Sequence, residues 1–408
     1  RLNTNKLFPD VTKATIQQEV THLVPVADKL NVAAYNIENF SNNTANTSDE
    51  KVAKIAGTFV HNMKSPDIIT LVEVQDNDGE TDSGNADASE SYMRLINAIK
   101  AAGGPAYDWI DVMPINNTVG GAPGGNIRVG YLYNPTRVSL VEGTKGTADQ
   151  ANAWTADGNL TLNPGFVDPS KFVDTRKPIA AEFEFQQERI IVIGAHLNSK
   201  GGDDSLWGPT QPPVLGSVAE RLQLAQAMND FIDEGLAKNP DLNIVVAGDM
   251  NDFEFTPALE TLKGGVLTNM VDLASEEDRF TYFFQGNNQV LDHILVSNNL
   301  ADVTAIDLIH INANFTEAQG RASDHDPVLV QIDLKAGKEE VEPIIPEDVY
   351  SYSNYKTGKL IMNRPSISLT LGENTDIKNG IAVFSEYAEF HGVGFANKTV
   401  IISPKKGN

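Results

Sequence analysis

Short apolar runs rich in β-branched residues recur along the chain and set the frame for everything else. Runs over 31–37, 67–74, 127–133, 178–185, 190–197, 242–247, 290–296 and 327–334 have the length and composition of strands. Between them, the stretches 52–63, 91–102 and 218–236 repeat apolar residues at helical spacing, which predicts amphipathic helices packed on those strands. Helices and strands alternate without a regular strand–helix–strand beat. That order predicts an α/β sandwich of mixed sheets rather than a doubly wound parallel sheet. Residues 1–30 mix Asn, Thr and Pro with one weakly helical stretch and read as a lead-in segment. The text KAGKEEVEPIIPEDV gathers Lys, Glu and Pro, the composition of a solvated linker, and predicts a domain boundary near residue 336 with a linker over 336–349. Beyond it, 350–408 carries Tyr, Ile, Val and Thr in short runs and reads as a small β-rich segment. A piece of about 60 residues is marginal for folding alone, so it is expected to pack on the main domain or to belong to a longer native chain. No internal repeat stands out.

Composition narrows the chemistry more than the fold. At 408 residues the chain exceeds one ordinary domain, and its 41% hydrophobic and 21% charged residues are those of a globular protein. No apolar run approaches the roughly 18 residues of a membrane helix, so no membrane insertion is expected. The net charge of −24 repels polyanions at long range and argues against a broad basic grip on nucleic acid. It leaves room for an enzyme that concentrates positive charge at one phosphate. The absence of cysteine excludes disulfides, thiolate metal sites and thiol nucleophiles. Any metal ligand must then be carboxylate, amide or imidazole, which favours Mg²⁺, Mn²⁺ or Ca²⁺. The sequence opens at Arg1 without Met or an apolar leader, which suggests processing or excision from something longer.

Several predicted strands end in polar residues that a strand interior would not choose. NVAAYNIENF runs into Asn36 and Glu38, and DIITLVEVQDNDG runs into Glu73. IIVIGAHLNSKGG delivers His196, Asn198 and Lys200, and NIVVAGDMNDF delivers Asp249 and Asn251. VLDHILVS places Asp292 in a strand, and ASDHDPVLVQI places Asp324 and His325 just before one. Any one such fragment is ordinary, because strand termini are polar anyway. Together they point to one shared site.

The ordered set YNIENF, LVEVQ, TRKP, HLNSK, GDMND, LDHILVS and SDHDP resembles the endonuclease/exonuclease/phosphatase superfamily over residues 31–335, about three quarters of the chain. Within it, VEVQDNDG, RVGYLYNP, DTRKPIAAEF and HLNSKGGDD are most like the texts of bacterial secreted nucleases. The resemblance implies a four-layer α/β sandwich of two mixed, mostly antiparallel sheets flanked by helices. It also implies a metal-dependent enzyme that hydrolyses DNA outside the cell, with attachment to the cell surface in a longer chain as one option and a monomer as the expected state. Phosphodiester hydrolysis needs a deprotonated water, stabilisation of equatorial charge and help for the leaving oxygen. His325 suits the base and Asp292 the group that fixes its tautomer. Glu73 suits Mg²⁺ or Mn²⁺, with Asn36 and Asp324 matching positions that help to hold it. Asp249 and Asn251 match the pair that positions the nucleophile and contacts the phosphate, and His196 matches a second histidine. Arg176 and Asn198 are expected to support the substrate, and Lys200 adds a cation beside them.

One departure stands out: the relatives orient the second histidine with a glutamate, and YDWIDVMPIN offers none. The run DNDGETDSGNADASE holds Asp76, Asp78, Glu80 and Asp82 at alternating positions, a candidate calcium loop that lacks the full twelve-residue pattern. GGAPGG over 120–125 is read as a loop near the substrate groove, His293 as a packing residue, and His22, His61, His310 and His391 receive no role. Two other functions compete. A phosphatase or phospholipase C-type hydrolase, acting on sphingomyelin or inositol phosphates, would use the same groups; lipid-cleaving members carry an exposed aromatic hairpin, whereas Trp109, Trp154 and Trp207 are scattered. An inactive surface-binding module would usually have lost one of Glu73, Asp249, Asp292 or His325, and all four are present.

Overall fold

The computed structural model describes residues 16–205, 208–336, 348–352, 356–357, 359–363, 366–378, 380–384, 387–393 and 400–403. The first half of the expected lead-in, Trp207 and most of the expected linker lie outside the described residues. The chain divides into two compact units, Arg1–Ala336 and Gly337–Asn408.

In chain order the first unit begins with β1 (Leu30–Phe40), α1 (Asp49–Gly57), β2 (Ile68–Val74), α2 (Ser89–Ala101), β3 (Asp108–Ile110), β4 (Arg128–Tyr133), β5 (Ser139–Leu140) and β6 (Gly165–Phe166). It continues with β7 (Ile179–Phe185), β8 (Glu188–His196), α3 (Gly216–Lys238), β9 (Ile244–Asp249), α4 (Pro257–Lys263) and β10 (Leu267–Asn269). The hairpin β11 (Tyr282–Phe284) and β12 (Asn287–Gln289), then β13 (Asp292–Ser297), β14 (Thr304–Leu308) and β15 (Val328–Ile332), complete it. α1 shows why these boundaries fall where they do. Ser48 accepts from the Lys51 N–H, Asp49 and Glu50 sit in the first turn and Lys54 in the last, while Val52, Ile55 and Ala56 are buried. Among the described residues no helix is long and apolar enough to cross a membrane.

Two sheets follow parallel plans. One has the order β14-β15-β1-β2-β4-β3, the other β10-β13-β9-β8-β7-β5 with β6 also on β7. Each has a single parallel pair, β1 with β2 and β8 with β9, and every other ladder is antiparallel. Strand alternation sends Val32 and Ala34 into a core shared with Val192, Val245 and Ile294 of the other sheet. Ala33 and Tyr35 point the opposite way, into a second core with α1 and α2, and Ile191, Ile193 and Val246 form a third with α3 and α4. Four layers result, helix, sheet, sheet, helix, in line with the α/β sandwich expected from the sequence.

Tyr131 links the two sheets. Its hydroxyl lies 2.6 Å from the Ile179 carbonyl and 2.8 Å from that of Val192, and accepts from the Gly194 N–H at 2.7 Å. The sheets approach so closely here that a Cβ on Gly194 would come within 2.7 Å of Val129 Cγ1 and 2.9 Å of Thr70 Cγ2.

The second unit corrects the expectation that no repeat is present. Its described strands β16 (Asp348–Tyr352), β17 (Lys356–Thr357), β18 (Leu360–Asn363), β19 (Ser366–Leu371), β20 (Asp376–Ile377), β21 (Ile381–Phe384), β22 (Tyr387–His391) and β23 (Val400–Ser403) pair only in parallel. Partners recur at a steady interval along the chain, as Asp348 with Ile367, Lys356 with Asp376, Leu360 with Ile381 and Ser366 with Tyr387. This is a coil of stacked β-strands around Leu360, Ile367, Leu369, Leu371, Ile381 and Val383. The period leaves only a faint trace in the text, as Gly358 with Gly380 and Gly372 with Gly392, too few turns for a repeat to stand out.

Candidate active site

The topology brings the polar strand ends to one place. In each sheet the parallel pair ends at the same side, which gathers Asn36 and Glu73 from β1 and β2, and His196 and Asp249 from β8 and β9. Asp292 opens β13 directly opposite Asp249, and β15, antiparallel to β1, starts at that same end just after His325.

Contacts cross from one sheet to the other. His325 Nδ1 lies 2.7 Å from Asp292 Oδ2, and Asn36 Nδ2 donates to Glu73 Oε1 and to Asp249 Oδ2, both at 3.1 Å. Asp249 Oδ2 is also 3.8 Å from His325 Nε2 and 3.7 Å from His196 Nε2. These separations are too long for direct hydrogen bonds, and one water or phosphate oxygen beside such a pair can bond to both atoms. The backbone is strained around this point: Glu38, Asn39, Glu73 and Asn251 all have φ between +50° and +66°. The strain has a geometric result, since the turned Asn39 N–H binds Glu73 Oε2 at 2.9 Å and the Asn251 N–H binds Asp249 Oδ1 at 2.8 Å.

Burial and charge set opposite tendencies on the two histidines. Burial, aided by Arg176, holds His196 well below the usual imidazole range, so its ring is neutral. Its Nδ1 is buried without a partner, the position that the missing glutamate would have served. Burial would also lower His325, but Asp292 and Asp249 outweigh it and hold the ring well above its ordinary value. Desolvation raises Glu73 and Asp292 and pushes Asp249 up to about 6.

Several acidic groups thus lie close together with little countercharge, and Asp324 adds a buried Oδ1 without a partner. Such a donor set of hard oxygens fits a divalent cation. Asp249, Asp292 and His325 also bring one ligand atom each within 4.8 Å of one another. Asp324 Oδ1 and Asp292 Oδ1 are the buried oxygens left without a partner, while both Glu73 oxygens accept hydrogen bonds, from Asn36 and from the Asn39 N–H. Asn36 turns its NH₂ to the carboxylates because its Oδ1 accepts from the Glu38 N–H at 3.0 Å.

The remaining expected residues sit around this centre. Arg176 is buried, donates to the Leu197 carbonyl at 2.6 Å and leaves its Nε unpartnered. Asn251 Nδ2 donates to that same carbonyl at 3.1 Å. Asn198 Oδ1 accepts from the Thr175 hydroxyl. Lys200 is tied down, bonded to the Asn251 carbonyl and 3.0 Å from Asp252. Glu38 pairs with Lys51 at 3.1 Å. Of the candidate calcium residues, Asp76 is buried against Asn126 and pushed up to about 6 by burial, with Asp78 beside it. Glu80 and Asp82 are exposed, and Asp82 accepts from Asn117 at 2.8 Å.

Three positions escape the sequence reading. Tyr282 lays its ring 4.7 Å from that of His325. Ser323 Oγ donates to the Asn36 carbonyl at 2.6 Å, and Asn312 holds the His325 carbonyl at 2.7 Å and the Tyr35 hydroxyl at 2.9 Å. Tyr282 lies in the aromatic text FTYFFQGNNQ shortly before LDHIL, and Ser323 opens the motif SDHDP, whereas Asn312 has no signal.

A cluster of this kind, with an imidazole, several carboxylates and a buried guanidinium at paired sheet ends, is suited to hydrolysing phosphate esters. The chain belongs to the endonuclease/exonuclease/phosphatase family, whose sequence model matches residues 33–325. Members of this family are hydrolases of phosphodiesters or phosphate esters and generally use divalent metals. Among solved structures it is similar to a family protein from Bacteroides thetaiotaomicron, at 16% identity over 74% of this chain and 94% of that one, with a TM-score of 0.47. It is similar to a humanized D. rerio TDP2 at 15% identity, 75% and 99% coverage and a TM-score of 0.46. A mannosyl-6-phosphatase from Bacteroides thetaiotaomicron aligns at 17% identity, 74% and 99% coverage and a TM-score of 0.43. No curated protein matches the chain.

Proposed function

We propose that the chain is a divalent-metal-dependent phosphodiesterase, a secreted nuclease that hydrolyses DNA. The observation that carries this reading is the His325–Asp292 pair at 2.7 Å, with His325 Nε2 3.8 Å from Asp249 Oδ2. Asp292 fixes the His325 tautomer so that Nε2 faces the cleft, where it takes a proton from water. Asp249 and Asn251 hold that water and the phosphate in line. The neutral His196 donates a hydrogen bond to a phosphate oxygen, and Arg176 supplies positive charge from behind. Glu73 and Asp324, with Asn36 beside them, would hold Mg²⁺ or Mn²⁺. When bound, the ion stabilises charge on the phosphate and offsets the carboxylates that keep His325 protonated. The choice of DNA and of an extracellular setting rests on the likeness of motifs such as VEVQDNDG to secreted nucleases.

One observation favours a second reading. The β11–β12 hairpin exposes Phe283 and Phe284 beside the site, the feature that lipid-cleaving hydrolases use and that the scattered tryptophans do not offer.

The test is cleavage of circular and linear DNA, RNA and sphingomyelin, with Mg²⁺ and with EDTA. DNA cleavage that EDTA stops and Mg²⁺ restores is expected, and His325→Ala should lower kcat by about 10²- to 10⁴-fold with an unchanged circular dichroism spectrum. EDTA-resistant cleavage or a fully active variant would remove the mechanism.

A further inference from the structure

Two exposed aromatic arms leave the sheet end that carries the site. The first is the β11–β12 hairpin, where Tyr282 bridges His325 through the backbone and Phe284 is 50% exposed. Strand side chains alternate, so Tyr282 and Phe284 share a face, with Phe284 about 7 Å further along it. The second arm follows Asp249 directly. Phe253 and Phe255 stack with centroids 5.6 Å apart, Lys200 Nζ lies 4.5 Å over the Phe253 ring, and Phe255 is 72% exposed. Among the described residues no large apolar side chain is more exposed. One arm leaves the end of β9 and the other leads into the start of β13, and these two points face each other as Asp249 against Asp292.

We propose that the two arms are stacking walls for unpaired nucleobases, which makes the enzyme prefer single-stranded over duplex DNA. The proposal rests on the nuclease reading above. A phosphate held against His325 and Asp249 places its flanking nucleotides beside the arms. Aromatic faces stack on any base and need no sequence, but in a duplex those base faces are already covered. Stacking also supplies affinity that does not depend on charge, which a chain of net charge −24 lacks the means to obtain from phosphates alone. A lipid surface fits less well. The hairpin turn is Gln285-Gly286, and β12 reads Asn287, Asn288, Gln289, so insertion would bury a row of amides.

The experiment compares steady-state cleavage of a single-stranded oligonucleotide, its duplex and a strand of equal length built from abasic sites. Wild type, Phe255→Ala, Phe284→Ala and Phe255→Trp are measured on each. Wild type should favour the single strand. Each alanine should raise KM for it about tenfold while leaving the abasic strand within about twofold, and tryptophan should restore it. Unchanged KM on the single strand, an equal loss on the abasic strand, or a wild-type preference for duplex would overturn the proposal. So would vesicles of phosphatidylcholine and sphingomyelin that bind wild type but not the alanine variants, with DNA kinetics unmoved. Wild type that cleaves none of the three strands would instead sink the nuclease reading, and this proposal with it, before any variant is compared.

Discussion

Asp292 and His293 are adjacent in the chain, yet strand alternation sends them to opposite faces of β13 and gives them unrelated tasks. Asp292 reaches His325, whereas His293 is packed away, with Nε2 at 2.9 Å from the Asp252 carbonyl and Nδ1 at 3.1 Å from Asn269 Nδ2. The carbonyl requires a proton on Nε2 and the amide NH₂ requires a bare Nδ1, so the pocket accepts only the neutral ring. Burial lowers this imidazole to about 4. The unfolded chain, titrating near 6.5, therefore binds a proton that the folded chain refuses, and His293 withdraws stability as pH falls from about 6.5 to 4, by roughly 3 kcal/mol in total. An NMR titration of the His293 ring should give a value near 4; one near 6.5 would contradict this packing. The packing role is legible from alternation alone. Those of Ser323 and Asn312 are not, because each is a bond between distant stretches of chain that no local pattern encodes.

At the scale of elements, the eight apolar runs form strands whose two faces are both covered, which demands continuous hydrophobicity. The segment 304–308 escapes that reading because β14 is an edge strand with exposed and half-buried positions, and its text TAIDL lacks such continuity. The β11–β12 hairpin escapes for a related reason, since Phe283 and Phe284 are exposed and its second strand is all amide. Tyr131 shows what holds elements together across layers. Its ring belongs to β4, while its hydroxyl bonds β7 and β8. Tyr131→Phe leaves buried partners unsatisfied and should lower stability by about 2 kcal/mol with little change in overall secondary structure. Urea unfolding would check this, and an unchanged midpoint would mean that the hydroxyl contributes nothing.

For the whole molecule, the described residues of the two units form separate cores, three clusters in the first and one in the second. A chain ending at Ala336 is therefore expected to fold and to melt within about 3 °C of the first transition of the full chain. A loss of cooperative melting on truncation would show that the units depend on each other. The site's own dependence is of another kind. Each of its two cross-sheet bonds, His325 with Asp292 and Asn36 with Asp249, has one foot on either plate of the sandwich. The apolar filling between the plates is thus a spacer for these two bonds, and one methylene trimmed from it, far from Asp292 and His325, would shift their alignment while both plates stayed whole.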